Sequence, residues 1–124
     1  MINVVVCIGS NCGERQTALL NATQWLSRIL SDFKKSAIYE TPCALAEGSH
    51  YLNCVVCGKW NGGIDELEHS LKDYERRKGR DEACRKRGDV PVDIDVVICD
   101  GEIIKEWDYR QKFFQIGFGE IIGL

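Results

Sequence analysis

Two aspartates stand two residues apart in Asp93-Ile94-Asp95, inside the otherwise apolar run from Val92 to Ile98. In an extended strand both carboxylates point to one face, with β-carbons about 6–7 Å apart. Unpaired buried charge is costly, so such a pair needs something to neutralise it. Two carboxylates on a rigid face bind hard divalent cations, and Mg2+ commonly completes its shell with water and substrate phosphates. The plainer reading leaves both aspartates at a strand end, facing solvent. Seven of the 16 Lys and Arg fall between Arg76 and Arg87, including Arg80, Arg85, Lys86 and Arg87 just upstream of the pair. Carboxylate-held metal beside several cations is the charge inventory of phosphoryl transfer, where catalysis is mostly positioning and neutralisation of phosphate oxygens. The competing reading is a solvated charged loop that pairs with Asp81, Glu82 and Asp89. A Walker A loop is absent, because Gly9-Ser10-Asn11-Cys12-Gly13 lacks the lysine and the spacing.

A second constellation lies mid-chain, where Tyr39-Glu40-Thr41-Pro42 closes one extended run and Tyr51-Leu52-Asn53 opens the next. A buried Asn offers two donors and an acceptor to one edge of a planar heterocycle. Tyr51 can supply a flat wall. The bland alternatives are a Thr-Pro strand stop and an Asn that faces water.

The elements that must position these groups follow from periodicity. Residues 2–8 read as an apolar strand, and Ala18, Leu19, Ala22, Trp25, Leu26 and Ile29 recur at helical spacing between Glu14 and Ser31. Phe33 to Glu40 reads as a second strand and Tyr51 to Trp60 as a third, ended by Asn61-Gly62-Gly63. Ile64, Leu67, Leu71 and Tyr74 mark a second helix, which fades into the basic cluster and Gly79. Val92 to Cys99 is the fourth strand, turned by Asp100-Gly101 into a short hairpin with Ile103-Ile104. The order β-α-β-β-α-β predicts an α+β, ferredoxin-like sandwich with helices on one face of an antiparallel sheet and the other face free for a ligand. Trp107 to Leu124 gives no assignable pattern.

Composition bounds the rest. The 124 residues, 44% hydrophobic and 28% charged, suit one domain over 1–124 with a core of its own. A net charge of −3 argues against nucleic acid or membrane as a partner. Seven cysteines and an opening without a secretory leader point to free thiols in a reducing, cytoplasmic compartment. Cys54 and Cys57 have metal or redox spacing, but in a strand they face opposite ways and read as core residues.

Taken in order, Ile8-Gly9-Ser10-Asn11, Tyr39-x-Thr41-Pro42, Tyr51-Leu52-Asn53, Glu75-x-x-x-Gly79-Arg80 and Asp93-Ile94-Asp95 with Asp100-Gly101 resemble the 6-hydroxymethyl-7,8-dihydropterin pyrophosphokinases of the folate pathway. The resemblance spans roughly residues 4–104 and implies Mg2+-dependent transfer of pyrophosphate from ATP to hydroxymethyldihydropterin, with release of AMP. It implies two Mg2+ ions on Asp93 and Asp95, the pterin at Thr41, Pro42, Asn53 and Tyr51, a phosphate-gripping loop arginine at Arg80, and Glu75 near the nucleotide. Where the family carries Trp-Gly-Pro-Arg before its aspartates, this chain reads Arg87-Gly88-Asp89-Val90. Arg87 is then expected to stack on the pterin, and Arg85 or Lys86 to replace the second phosphate arginine. The family's His-Tyr nucleotide contact corresponds to Asp108-Tyr109, with Arg110, Lys112, Phe114 or Phe118 as substitutes for the arginine and phenylalanine that follow. Two alternatives stay open: a relative that binds pterin or nucleotide without transfer, and a ferredoxin-fold interaction module.

Overall fold

A computed structural model describes residues 1–42, 50–79 and 81–123, apart from the side chain of Arg85. The elements run β1 (Ile2–Ser10), α1 (Arg15–Ile29), β2 (Ser31–Lys35), β3 (Tyr39–Pro42), β4 (His50–Trp60), α2 (Ile64–Arg77), α3 (Glu82–Arg87), β5 (Asp93–Cys99), β6 (Glu102–Ile103), α4 (Glu106–Arg110) and α5 (Lys112–Ile121). The strands form one antiparallel sheet in the order β2-β4-β1-β5-β6, with β3 also paired to β4. Each of the units β1-α1-β2 and β4-α2-β5 skips one strand, which is the expected ferredoxin-like arrangement.

β1 is apolar on both faces because both faces are covered. Val4, Val6 and Ile8 pack with Leu19, Ala22 and Leu26 of α1, Leu67, Leu71 and Tyr74 of α2, and Ile94 and Val96 of β5. Trp25 stacks on Tyr74 with ring centroids 4.4 Å apart and ties the two helices together. Cys7, Val55 and Val97 point the other way, into a smaller core closed by Phe114.

That second core is where the structure departs from the sequence reading. The unassigned C-terminal stretch forms α4 and α5, and α5 lies across the face expected to be open. Gly117 makes the approach possible, since a β-carbon there would sit 2.7 Å from Val55 Cγ2 and 2.8 Å from the Tyr39 hydroxyl. Tyr39 fastens the helix: its O–H donates to the Phe113 carbonyl at 2.5 Å and accepts from the Gly117 N–H at 3.1 Å. The single strand expected over 33–40 is two, because the chain kinks at Ser36. Ser36 preserves the ladder across the kink by donating its N–H to Val55 O at 2.8 Å and accepting the Val55 N–H on Oγ at 3.0 Å. The basic stretch is also more ordered than its glycines suggest: Asp81 accepts the Cys84 N–H at 2.8 Å and caps the single turn and a half of α3. Among the described residues no helix is long and apolar enough to cross a membrane.

Candidate functional site

Strand register carries the two sequence constellations to one place. Gly9 stands between Asn53 of β4 and Asp93 of β5, and Cys7 between Val55 and Asp95. β3 extends the pattern, with Tyr39 opposite Asn53 and Thr41 opposite Tyr51. Because Ile94 and Val96 enter the core under α1 and α2, the alternating Asp93 and Asp95 face the opposite side. There Thr41, Pro42, Tyr51, Asn53, Asp93 and Asp95 line one cavity of about 230 Å³ above Cys7 and Gly9. Gly9 is small for a reason: a β-carbon would stand 3.2 Å from the Tyr51 ring and 3.4 Å from Asn53 Oδ1. Asn53 is buried, and its Nδ2 donates to Thr41 Oγ1 at 2.7 Å, which fixes the amide within the cavity wall.

The remaining wall comes from the segment that the sequence left unassigned. Trp107 of α4 and Phe113 of α5 line the same cavity, their rings 6.0 Å apart, together with Asp108. Trp107 is half exposed although it is among the largest apolar side chains.

Asp95 draws two cations to one oxygen. Lys105 Nζ lies 3.1 Å and Lys72 Nζ 3.4 Å from its Oδ1, and Lys72 also reaches Glu75 Oε2 at 3.3 Å. Burial alone would raise the Asp95 carboxyl, but hydrogen bonding with Asp93 and the two ammoniums hold it below its ordinary value. Asp108 moves the opposite way, raised by burial and by the negative charge of Asp95. Neither lysine was anticipated. Lys105 was within reach of hairpin arithmetic, since Ile98 pairs with Ile103 and the Lys105 N–H donates back to Val97 O at 3.3 Å.

Glu75 does not open onto solvent; it is 3% exposed, and its Oε2 accepts the Ile94 N–H at 2.7 Å. β6 covers only Ile98 and Cys99 of β5, so Glu75 acts as the missing neighbour for the edge where the aspartates stand. Glu75→Ala will therefore strand a buried N–H and cost about 1–3 kcal/mol in urea denaturation, whereas Glu75→Gln keeps an acceptor and recovers most of it.

Other expected residues lie elsewhere. Arg87 is not among the residues lining the cavity; its Nε pairs with Asp89 Oδ2 at 2.9 Å. Tyr109 packs its ring against Phe114 and Phe118, and Arg110 reaches Glu106 at 3.8 Å. Phe114 is wholly buried in the core, so it presents nothing to a ligand. Lys86 is exposed on α3, while Arg80 and the side chain of Arg85 lie outside the described residues. Asn11 docks this basic segment on β1: its Nδ2 donates to Gly88 O at 3.0 Å and its Oδ1 accepts the Val90 N–H at 2.6 Å.

The donor set suits a hard cation that arrives with phosphate. Two carboxyl groups share a rigid face, and one already draws two ammoniums to a single oxygen. Among the described residues no group of three or more His, Cys, Asp and Glu could hold a metal ion, so a cation held by this pair would need water or ligand oxygens to complete its shell.

Comparison with known proteins agrees with this geometry. The family model for 7,8-dihydro-6-hydroxymethylpterin-pyrophosphokinase (HPPK) matches residues 5–121. The 2-amino-4-hydroxy-6-hydroxymethyldihydropteridine pyrophosphokinase of Aquifex aeolicus is 31% identical over 106 residues, which is 85% of this chain and 66% of that protein. The folate synthesis bifunctional protein of Arabidopsis thaliana is 30% identical over 100 residues, 76% of this chain and 20% of that protein. The chain thus spans less than two thirds of the length of either relative. With a match that includes the aspartate strand, the aromatic segment and the sheet between them, the chain belongs to the 7,8-dihydro-6-hydroxymethylpterin-pyrophosphokinase family.

Proposed function

We propose that the chain transfers pyrophosphate from ATP to the hydroxymethyl oxygen of 6-hydroxymethyl-7,8-dihydropterin and releases AMP. One observation carries the reading: the Thr41–Asn53 pair, three aromatic rings and the two aspartates line one cavity. The acceptor oxygen bonds to the β-phosphorus, the bridge from the α-phosphate breaks and leaves with AMP, and the hydroxyl proton passes to solvent.

Each group has a task in this reaction. Asn53 and Thr41 present donors and acceptors to the edge of the pterin, and Tyr51, Phe113 and Trp107 stack against its faces beside Pro42. Trp107 and Phe113 thereby supply the flat wall that the sequence assigned to Arg87. Asp93 and Asp95 would hold two Mg2+ ions, which supply neutralisation of phosphate oxygens and Lewis-acid activation of the acceptor. Arg80, Arg85 and Lys86 would grip the polyphosphate, with Tyr109 and Arg110 on the nucleotide side. Glu75 positions rather than binds, by holding the edge of β5 in place. Free thiols at six described cysteines accord with a reducing, cytoplasmic setting.

The stacking wall makes a direct prediction. Stacking of a base on an aromatic ring contributes about 1–3 kcal/mol, so Phe113→Ala will weaken 6-hydroxymethylpterin binding by about 10- to 100-fold in a fluorescence titration. Turnover is tested by omission. AMP is expected only when chain, ATP, Mg2+ and the hydroxymethyl acceptor are all present, and ADP or acceptor-independent hydrolysis would refute the assignment.

A further inference from the structure

We infer that Lys72 and Lys105 form an interlock at Asp95, which keeps divalent cation out until the nucleotide arrives with it. The inference rests on the transferase reading of the site and concerns the order in which its charges assemble.

Both ammoniums converge on one atom, Asp95 Oδ1, at 3.4 and 3.1 Å. They reach it from separate elements, Lys72 from α2 and Lys105 from the segment after β6. The oxygen they occupy belongs to one of the two carboxylates that line the cavity. An ammonium and a divalent cation cannot share that oxygen without repulsion, so the lysines compete with metal for it. Both are also built to leave. Their side chains are 46% and 39% exposed at the rim while Asp95 is 15% exposed, and a lysine is a point charge on a flexible stem. Each has a second carboxylate nearby: Lys72 keeps Glu75 Oε2 at 3.3 Å, and Lys105 lies in the field of Asp108.

A polyphosphate in the cavity offers both ammoniums better acceptors, because charge-assisted bonds to phosphate are among the strong ones. Their transfer from Asp95 to phosphate would free the carboxylate for metal at the moment metal and nucleotide arrive together. Metal and nucleotide binding are then positively coupled, and by linkage each strengthens the other by the same factor. A merely structural ion pair would add nothing to the coupling that shared phosphate oxygens already give, and its removal would leave metal binding without nucleotide unchanged.

The test uses the full chain, Mn2+ as a paramagnetic probe of the metal and non-hydrolysable α,β-methylene-ATP as the nucleotide. Wild type should bind Mn2+ weakly alone, and at least about tenfold more tightly with the analogue. Lys72→Met and Lys105→Met should each tighten Mn2+ binding without nucleotide by about three- to tenfold, with the coupling factor lowered by a similar ratio from its wild-type value. Lys59→Met, which removes a cation paired to Asp32 at the other end of β4 from Asn53, should change neither quantity. Each variant is included only with a cooperative thermal melt. Folded lysine variants that bind free Mn2+ no better than wild type would overturn the interlock and leave the transferase reading standing. Wild type that binds no Mn2+ even with the analogue would overturn both.

Discussion

Asp95→Ala will lower AMP formation by at least about a thousandfold, since metal-borne charge stabilisation supplies several kcal/mol to such a transition state. The same variant should keep its thermal midpoint within a few degrees. Asp95 Oδ1 accepts from two partly exposed lysines, and exposed ion pairs contribute only about 0–1 kcal/mol. Both ammoniums can return to water or to Glu75 when the carboxylate is gone. The contrast is diagnostic: a rate collapse in a folded protein places Asp95 in the chemistry, whereas parallel loss of rate and stability would make it a structural strut. Asp93→Ala should follow the same pattern, because register holds both carboxylates on the same face of β5.

Asn53→Ala will act on the other half of the site and leave a different signature. Asn53 is 2% exposed and holds Thr41 Oγ1 at 2.7 Å, so truncation removes the amide and releases the hydroxyl it orients. Sites built to hydrogen-bond a substrate edge discriminate by about 10⁴-fold or more, so kcat/KM for the pterin should fall by at least about a hundredfold. Affinity for the ATP analogue should stay unchanged, because no phosphate-facing group is touched. A stability loss of about 1–3 kcal/mol should accompany it in denaturant titration, from the buried partners left behind. If ATP affinity fell equally, the assignment of Asn53 to the acceptor edge would be wrong.

The contrast between what was legible in the sequence and what was not has a physical basis. Alternation located β1, β4 and β5 and put Asp93 and Asp95 on one face, because strand periodicity is a local property. Ile8-Gly9-Ser10-Asn11 was legible as a motif, but its work was not: Gly9 makes room for Tyr51 and Asn53 across the sheet, and Asn11 docks residues 88–90, far along the chain. The segment after Lys105 failed for a related reason. Two glycines and three phenylalanines between Phe113 and Gly119 carry poor helix propensity, and α5 forms because Tyr39 and Val55 receive it. With α5 unread, Trp107 and Phe113 could not be placed at the cavity, and the sequence reading offers Arg87, which does not line it. Glu75 was legible as a carboxylate in the right place. Only the fold shows that it faces the backbone of β5.

One measurement bears on the central claim most directly. Phosphorus NMR of ATP, Mg2+ and 6-hydroxymethyl-7,8-dihydropterin incubated with the 124-residue chain should show AMP and a diphosphate ester of the pterin growing in equal amounts. Asp95→Ala should leave the ATP signals intact over the same interval. An unchanged spectrum with folded wild-type protein, or ADP in place of AMP, would contradict the account.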